Sequence, residues 1–132
     1  MEMNSSKRLA FDVVIVGSGA GGGAVAKELS PLVKDGVKVA VLEWGPKFKE
    51  SEFTGQEHEM ANRLYFDGGG FLTKDKSMTL AFAKAYGGST VVYTGTSHPM
   101  PKKTLERWGL PGLTWEDLNS GSAKYLLENN VN

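Results

Sequence analysis

Phe11–Glu43, FDVVIVGSGAGGGAVAKELSPLVKDGVKVAVLE, decides the fold. Phe11–Val16 is almost wholly apolar and β-branched, and such an unalternating run suits a strand buried on both faces of a parallel sheet. Gly17–Gly23 follows at once. Val25, Leu29, Leu32 and Val33 then recur at the spacing of one helix face. Pro31 is expected to kink or divide that helix near Ser30, because proline lacks a backbone donor and crowds the preceding turn. Asp35-Gly36 is a stop signal, and Val37–Leu42 reads as a second strand ending at Glu43. Strand, glycine-rich turn, helix and strand within 33 residues make one βαβ unit, whose crossover is expected to be right-handed.

Inside this unit Gly17, Gly19 and Gly22 spell G-x-G-x-x-G. The first glycine permits the tight turn out of the strand. The second lets a pyrophosphate approach the backbone, and the third lets helix and strand pack closely. The helix N-terminus offers unpaired N–H groups and partial positive charge to the anion. Alone the motif is weak. Here a buried strand precedes it, a helix follows, and an acid closes the next strand: Glu43 lies 21 residues past Gly22. A carboxylate about 20 residues on is the group that holds ribose hydroxyls, and it disfavours a 2′-phosphate. The spacing suits a dinucleotide but does not choose between NAD and FAD.

Composition narrows the alternatives. Lys+Arg and Asp+Glu are 15 each in 132 residues, which argues against a nucleic-acid binder with a basic face. Hydrophobic residues at 40% and charged residues at 23% describe a globular chain. With no cysteine, disulfides, Cys-ligated metal and a thiol nucleophile are excluded. The 17 glycines are concentrated in clusters and so mark special loops. No apolar run reaches the ~18 residues of a membrane helix. The start, MEMNSSKRLA, has no signal-peptide core; a disordered leader over residues 1–10 and a cytoplasmic location are the expectations.

Beyond Glu43 the pattern is looser. Pro46–Gly55 reads as loop, His58–Tyr65 as a short helix, Gly68–Gly70 as a breaker and Ser77–Ala83 as a strand. Val91–Thr96 has strand composition, although the Gly87-Gly88-Ser89-Thr90 turn before it can equally open a helix. Thr104–Trp108 reads as a helical turn and Gly109–Gly112 as a loop. Thr114-Trp115-Glu116-Asp117 resembles a capping box. A last helix over Ala123–Asn129 is expected to be split off by Asn119–Ser122.

A second glycine cluster bears on the cofactor. Lys84-Ala85-Tyr86-Gly87-Gly88-Ser89-Thr90-Val91-Val92-Tyr93 resembles the flavin-contacting signature of the glucose–methanol–choline (GMC) oxidoreductases. Leu42-Glu43-Trp44-Gly45-Pro46 is similar to that family's Leu-Glu-Ala-Gly-Pro. Asp67–Gly70 and Leu105–Trp108 resemble one bacterial branch, with long-chain alcohol oxidase-like and cholesterol oxidase-like members. The resemblance runs from Phe11 to about Leu118. It implies an α/β fold: a Rossmann-like, three-layer FAD-binding core with a parallel sheet, incomplete in this chain. It divides the chain into an FAD-binding portion over residues 11–118 and a truncated helical tail over residues 119–132. The implied activity is oxidation of an alcohol by hydride transfer to FAD.

Carried over by position, Gly17, Ser18, Gly19, Gly21 and Gly22 would meet the pyrophosphate and Glu43 the adenosine ribose. Gly87, Gly88, Ser89 and Thr90 would lie along the flavin, with Tyr93 near it. The family usually has Asn or His where Val92-Tyr93 stands, and no histidine lies between His58 and His98, so non-covalent FAD is expected. Family members are several hundred residues long. Their second half carries the substrate domain, the catalytic histidine with its partner and a returning strand of the sheet. The chain is therefore similar to the N-terminal cofactor part, with the alcohol met through the other half and no activity expected of the chain by itself. An open sheet edge would favour self-association.

Other candidates are weaker. His98, in Thr96-Ser97-His98-Pro99, is a candidate for a flavin pocket, although a surface loop histidine is the more frequent case. His58 between Glu57 and Glu59 does not make a metal site, because adjacent residues do not share a helix face. Trp44, Trp108 and Trp115 read as packing anchors. Two rival functions stay open: a nicotinamide-dependent dehydrogenase module, and a non-catalytic dinucleotide-binding fragment.

Overall fold

Strand β1 is Val13–Val16 and strand β2 is Val39–Leu42; they pair in parallel, Val13 opposite Val39 through Val16 opposite Leu42. The computed structural model describes residues 8–131, so most of the expected leader lies outside the described residues. Helix α1, Ala20–Lys34, joins the two strands and packs on both, completing the βαβ unit read from the sequence. Glu43 follows directly on β2.

The strand is not buried on both faces. Ile15 is 8% exposed and Val16 83%. Helix α1 covers the Val13 and Ile15 face, and within the first unit no described element covers the other, which carries Val14, Val16 and Leu42. The helix is turned differently from the expectation as well. Gly22, Ala26 and Leu29 are half-buried, while Val25, Leu32 and Val33 are exposed. The glycine governs this choice, since a side chain there would hold the helix away from the strand. Nor does Pro31 divide the helix: α1 runs unbroken to Lys34, because proline in the final turn removes one hydrogen bond and leaves the rest of the ladder intact. The stop is as expected, with Asp35 at the cap and Gly36 at φ +94°.

The described residues divide into two units, one ending at Tyr93 and one beginning at Thr94. In the first, a three-residue turn of 3-10 helix at Glu50–Glu52 lies inside the expected loop. Helix α2, Glu57–Leu64, matches the expected short helix. It buries Met60 and Leu64 against Ala85, with Phe48, Tyr65, Val91 and Val92 around them. The breaker is a tight turn at Phe66–Gly69, with Asp67 and Gly68 at φ 49° and 61°. The expected strand over Ser77–Ala83 is only β4, Thr79–Leu80, paired antiparallel with β3, Phe71–Leu72. Past Leu80 the chain leaves the pair: the Lys84 amide donates to the Leu64 carbonyl at 2.7 Å and the Tyr86 amide to the Pro46 carbonyl at 2.9 Å. Phe66, Phe71 and Phe82 cluster with centroids 5.2–5.9 Å apart.

In the second unit, α3 is Lys102–Trp108 and α4 is Trp115–Glu128. Thr114 and Asp117 form the expected capping box reciprocally. The expected split at Asn119–Ser122 does not occur. Once the box has nucleated α4, the Ser122 hydroxyl donates back to the Leu118 carbonyl at 2.8 Å and the helix passes through Gly121. Trp115 is half-buried and its Nε1 donates to the Met100 carbonyl at 3.3 Å, as befits an anchor. Trp108 is exposed, because α3 turns Leu105 inward instead.

Candidate functional site

Three stretches of the first unit converge at the carboxyl ends of β1 and β2. The first is the turn out of β1. Gly17, at φ +87°, donates its N–H to the Leu42 carbonyl at 2.7 Å. A methyl built on Gly22 would fall 1.9 Å from the Gly17 carbonyl oxygen, so a side chain at this position would drive helix and turn apart. Gly19 caps α1 and brings no side chain to its first turn, which holds no acid either. The leading amides of α1 therefore have no side-chain acceptor.

The second stretch is Glu43-Trp44-Gly45. Oε2 of Glu43 accepts the Ser18 amide at 2.8 Å and the Ser18 hydroxyl at 2.5 Å; Oε1 accepts the Gly45 amide at 2.7 Å. The Gly45 amide, then the Ser18 hydroxyl and the Ser18 amide, hold the carboxyl down at about 2, from an ordinary 4.5. Glu43 is thus an anion across the ordinary pH range, aimed at the turn by three donors.

The third stretch is Lys84–Thr90. Ala85 is 1% exposed and lies against Gly45, where a built methyl would sit 2.1 Å from the Ala85 nitrogen. Gly87, at φ +98°, opens a 3-10 turn over Gly88–Val91, so the strand reading of the segment after it does not hold. The Gly87 amide donates to the Ser18 hydroxyl at 2.8 Å. A methyl on Gly88 would fall 2.9 Å from the Gly19 Cα, so the two glycine clusters meet backbone to backbone. The hydroxyls of this turn bond nearby backbone: Ser89 accepts the Ala83 amide at 3.1 Å and Thr90 donates to the Gly87 carbonyl at 2.7 Å. Tyr93 is exposed.

An open crevice of about 300 Å³ lies beyond the strand ends, lined by Val16, Gly17, Leu42, Glu43 and Trp44. Open α/β sheets hold ligands in this position. Trp44 is 69% exposed, so it is no packing anchor: Phe66 borders it at 5.4 Å and the Lys84 ammonium sits 3.8 Å over its ring. The crevice combines apolar walls with a fixed anion, and the α1 cap, Gly19, stands two residues beyond its Gly17 wall. Those are the groups a ribose, a pyrophosphate and an aromatic base require, and the residues present fit a dinucleotide.

His98 lies in the second unit, exposed, on an open groove of about 520 Å³ with Ser97, Ser122 and Tyr125. Among the described residues no group of three or more His, Asp or Glu side chains is placed to hold a metal, and no helix is long and apolar enough to cross a membrane. Gly45 and Ala85 stand in the sequence only as members of the two motif strings. Their contact joins the two motifs, and its one sequence signal is that both residues are small.

No protein-family model matches the chain. Curated proteins do. The chain is 39% identical over 122 residues to the long-chain-alcohol oxidase FAO3 of Arabidopsis thaliana, a match covering 90% of the chain and 15% of that protein. It is 39% identical over 101 residues to the long-chain-alcohol oxidase FAO4B of the same plant, covering 76% and 13%. It is 34% identical over 99 residues to an uncharacterized GMC-type oxidoreductase of Mycobacterium tuberculosis, covering 74% and 15%. The chain belongs to the GMC oxidoreductases. It spans about 15% of the length of the curated relatives it matches. Those relatives come from a plant and a mycobacterium, so they do not single out a bacterial branch.

Proposed function

We propose that this chain is the FAD-binding portion of a GMC-type flavoprotein that oxidises an alcohol. The observation that carries the reading is the Ser18 hydroxyl, which bonds both Glu43 and the Gly87 amide and so joins the two motifs beyond the ends of the strands. The first of those motifs is general to dinucleotide binders; the second resembles the flavin signature. Together they support FAD over NAD, held without a covalent bond, in a Rossmann-like three-layer core of which residues 11–118 form part.

In this reading the amides of the Gly17, Ser18, Gly19, Gly21 and Gly22 turn bind the pyrophosphate, and Glu43 accepts the ribose hydroxyls. Val16, Leu42 and Trp44 shield the adenosine from water. Gly87, Gly88, Ser89 and Thr90 set the path toward the flavin. Bound there, FAD would supply the hydride acceptor for oxidation of an alcohol to a carbonyl compound. The base for that proton is assigned to the family's other half and not to His98, so the chain by itself is proposed not to turn over. The names of the plant relatives suggest a long-chain alcohol. The uncovered face of the sheet, Val14, Val16 and Leu42, supports self-association of the isolated chain.

The test is the visible spectrum of the purified chain, soaked with FAD, and acid release of the cofactor. Flavin bands with releasable FAD are expected. NADH binding without flavin uptake would favour the nicotinamide module, and uptake of neither would favour a non-catalytic fragment. Joined to the catalytic part of a GMC relative, the flavin-loaded chain should bleach with a long-chain alcohol.

A further inference from the structure

We propose that Ser18 is a positioning residue whose hydroxyl relays the Glu43 carboxylate to the Gly87 turn, so that the two ends of the dinucleotide site are set as one unit. The inference rests on the dinucleotide reading of the crevice. Its geometry is a chain of three groups. The Gly87 amide donates to Ser18 Oγ at 2.8 Å, and Ser18 Oγ donates to Glu43 Oε2 at 2.5 Å. A hydroxyl is suited to this, having one donor and two acceptor sites on one atom. Donation to a charged carboxylate also makes the oxygen a better acceptor, so each bond strengthens the other.

The relay spans stretches that are far apart in sequence, 25 residues for Ser18 and Glu43 and 69 for Ser18 and Gly87. It is not what holds those stretches together. The Gly45–Ala85 and Gly19–Gly88 backbone contacts and the Tyr86 bond to Pro46 do that without Ser18. Removing the hydroxyl therefore leaves the framework in place, with Glu43 still held by the Ser18 and Gly45 amides, and uncouples the Gly87 amide from the carboxylate. Ligand recognition also draws on this group. Glu43 Oε2 already takes two donors and Oε1 one, so an arriving ribose diol must share the carboxylate with Ser18. The Gly87 turn then feels the adenosine end through the serine.

The test is a double-mutant cycle on the full chain, read by amide hydrogen exchange at Gly87, together with FAD titration. Glu43→Gln should speed exchange at Gly87 about tenfold when Ser18 is present, the effect of weakening a charge-assisted hydrogen bond by ~1.4 kcal/mol, and should change nothing in the Ser18→Ala background. FAD affinity should fall about tenfold in Ser18→Ala by the same arithmetic, and Ser18→Thr, which keeps the hydroxyl, should restore both readouts. An equal effect of Glu43→Gln in both backgrounds would overturn the relay. FAD binding equally to wild type and Ser18→Ala would overturn its role in the site while leaving the dinucleotide reading standing. Failure of the wild type to bind FAD would remove the reading, and this inference with it.

Discussion

Gly45 and Ala85 touch through their backbones: a methyl built on Gly45 lies 2.1 Å from the Ala85 nitrogen and 2.4 Å from its Cα. The contact presses the stretch after Glu43 against the stretch before Gly87, and so brings the two motifs together. It predicts that Gly45→Ala separates them. Because backbone and not a flexible side-chain end must move, the loss should be at least about 1–3 kcal/mol, read as a lower urea midpoint. Flavin uptake should fall with it.

The glycines of α1 predict opposite signs for one chemical change. Gly22→Ala puts a methyl 1.9 Å from the Gly17 carbonyl oxygen and should destabilise by a similar amount. At Gly23 the nearest atom to a methyl is the Ser18 carbonyl oxygen at 3.8 Å, and the residue is helical. Gly23→Ala should stabilise by about 0.5–1 kcal/mol, the ordinary helix preference for alanine. Thermal unfolding of the two variants checks both.

Glu43 sets a pH dependence. Its folded-state pKa is about 2 against an ordinary 4.5, so the folded protein binds this proton less readily than the unfolded chain does. The stability it contributes is whole above about pH 4.5 and lost as the pH falls toward about 2. Glu43→Gln should lower stability at neutral pH and flatten the acid limb of the curve in that window. Following the Glu43 carboxyl by NMR titration would check the cause directly; a midpoint near 4.5 would refute it.

In the second unit, Thr114→Ala removes the reciprocal cap of α4. A loss of about 1 kcal/mol is expected, with faster exchange in the first turn of the helix and recovery in Thr114→Ser.

The uncovered sheet face predicts association. Val14→Lys, at an exposed position, should lower the sedimentation-derived mass at high concentration without changing the circular dichroism. An unchanged mass would rule out this face as the contact.

Local chemistry made the βαβ unit legible. The run Val13–Val16, the glycine turn, the Asp35-Gly36 stop and the spacing to Glu43 all act within a few residues of where they stand. The Thr114–Asp117 cap was readable for the same reason. The face of α1 was not, because Gly22 and Ala26 turn inward at the expense of larger Val25. Close approach to the strand outweighed side-chain size there. The exposure of Val16 and Trp44 was not readable either, since apolar character says that a residue favours burial but not whether anything lies over it. Nor was the unbroken α4, where a strong start carried the helix through residues of low propensity.

The sequence by itself determined the βαβ unit, the glycine turn with its spacing to Glu43, and the likeness of its two motifs to a flavoprotein family. Each of these follows from residue type and short spacing. Only the tertiary structure decided that the two motifs meet, that Ser18 joins them, and that Gly45 and Ala85 provide the close contact. Those relations join residues far apart in the chain through contacts between small groups, and hydrophobic periodicity carries no record of such contacts.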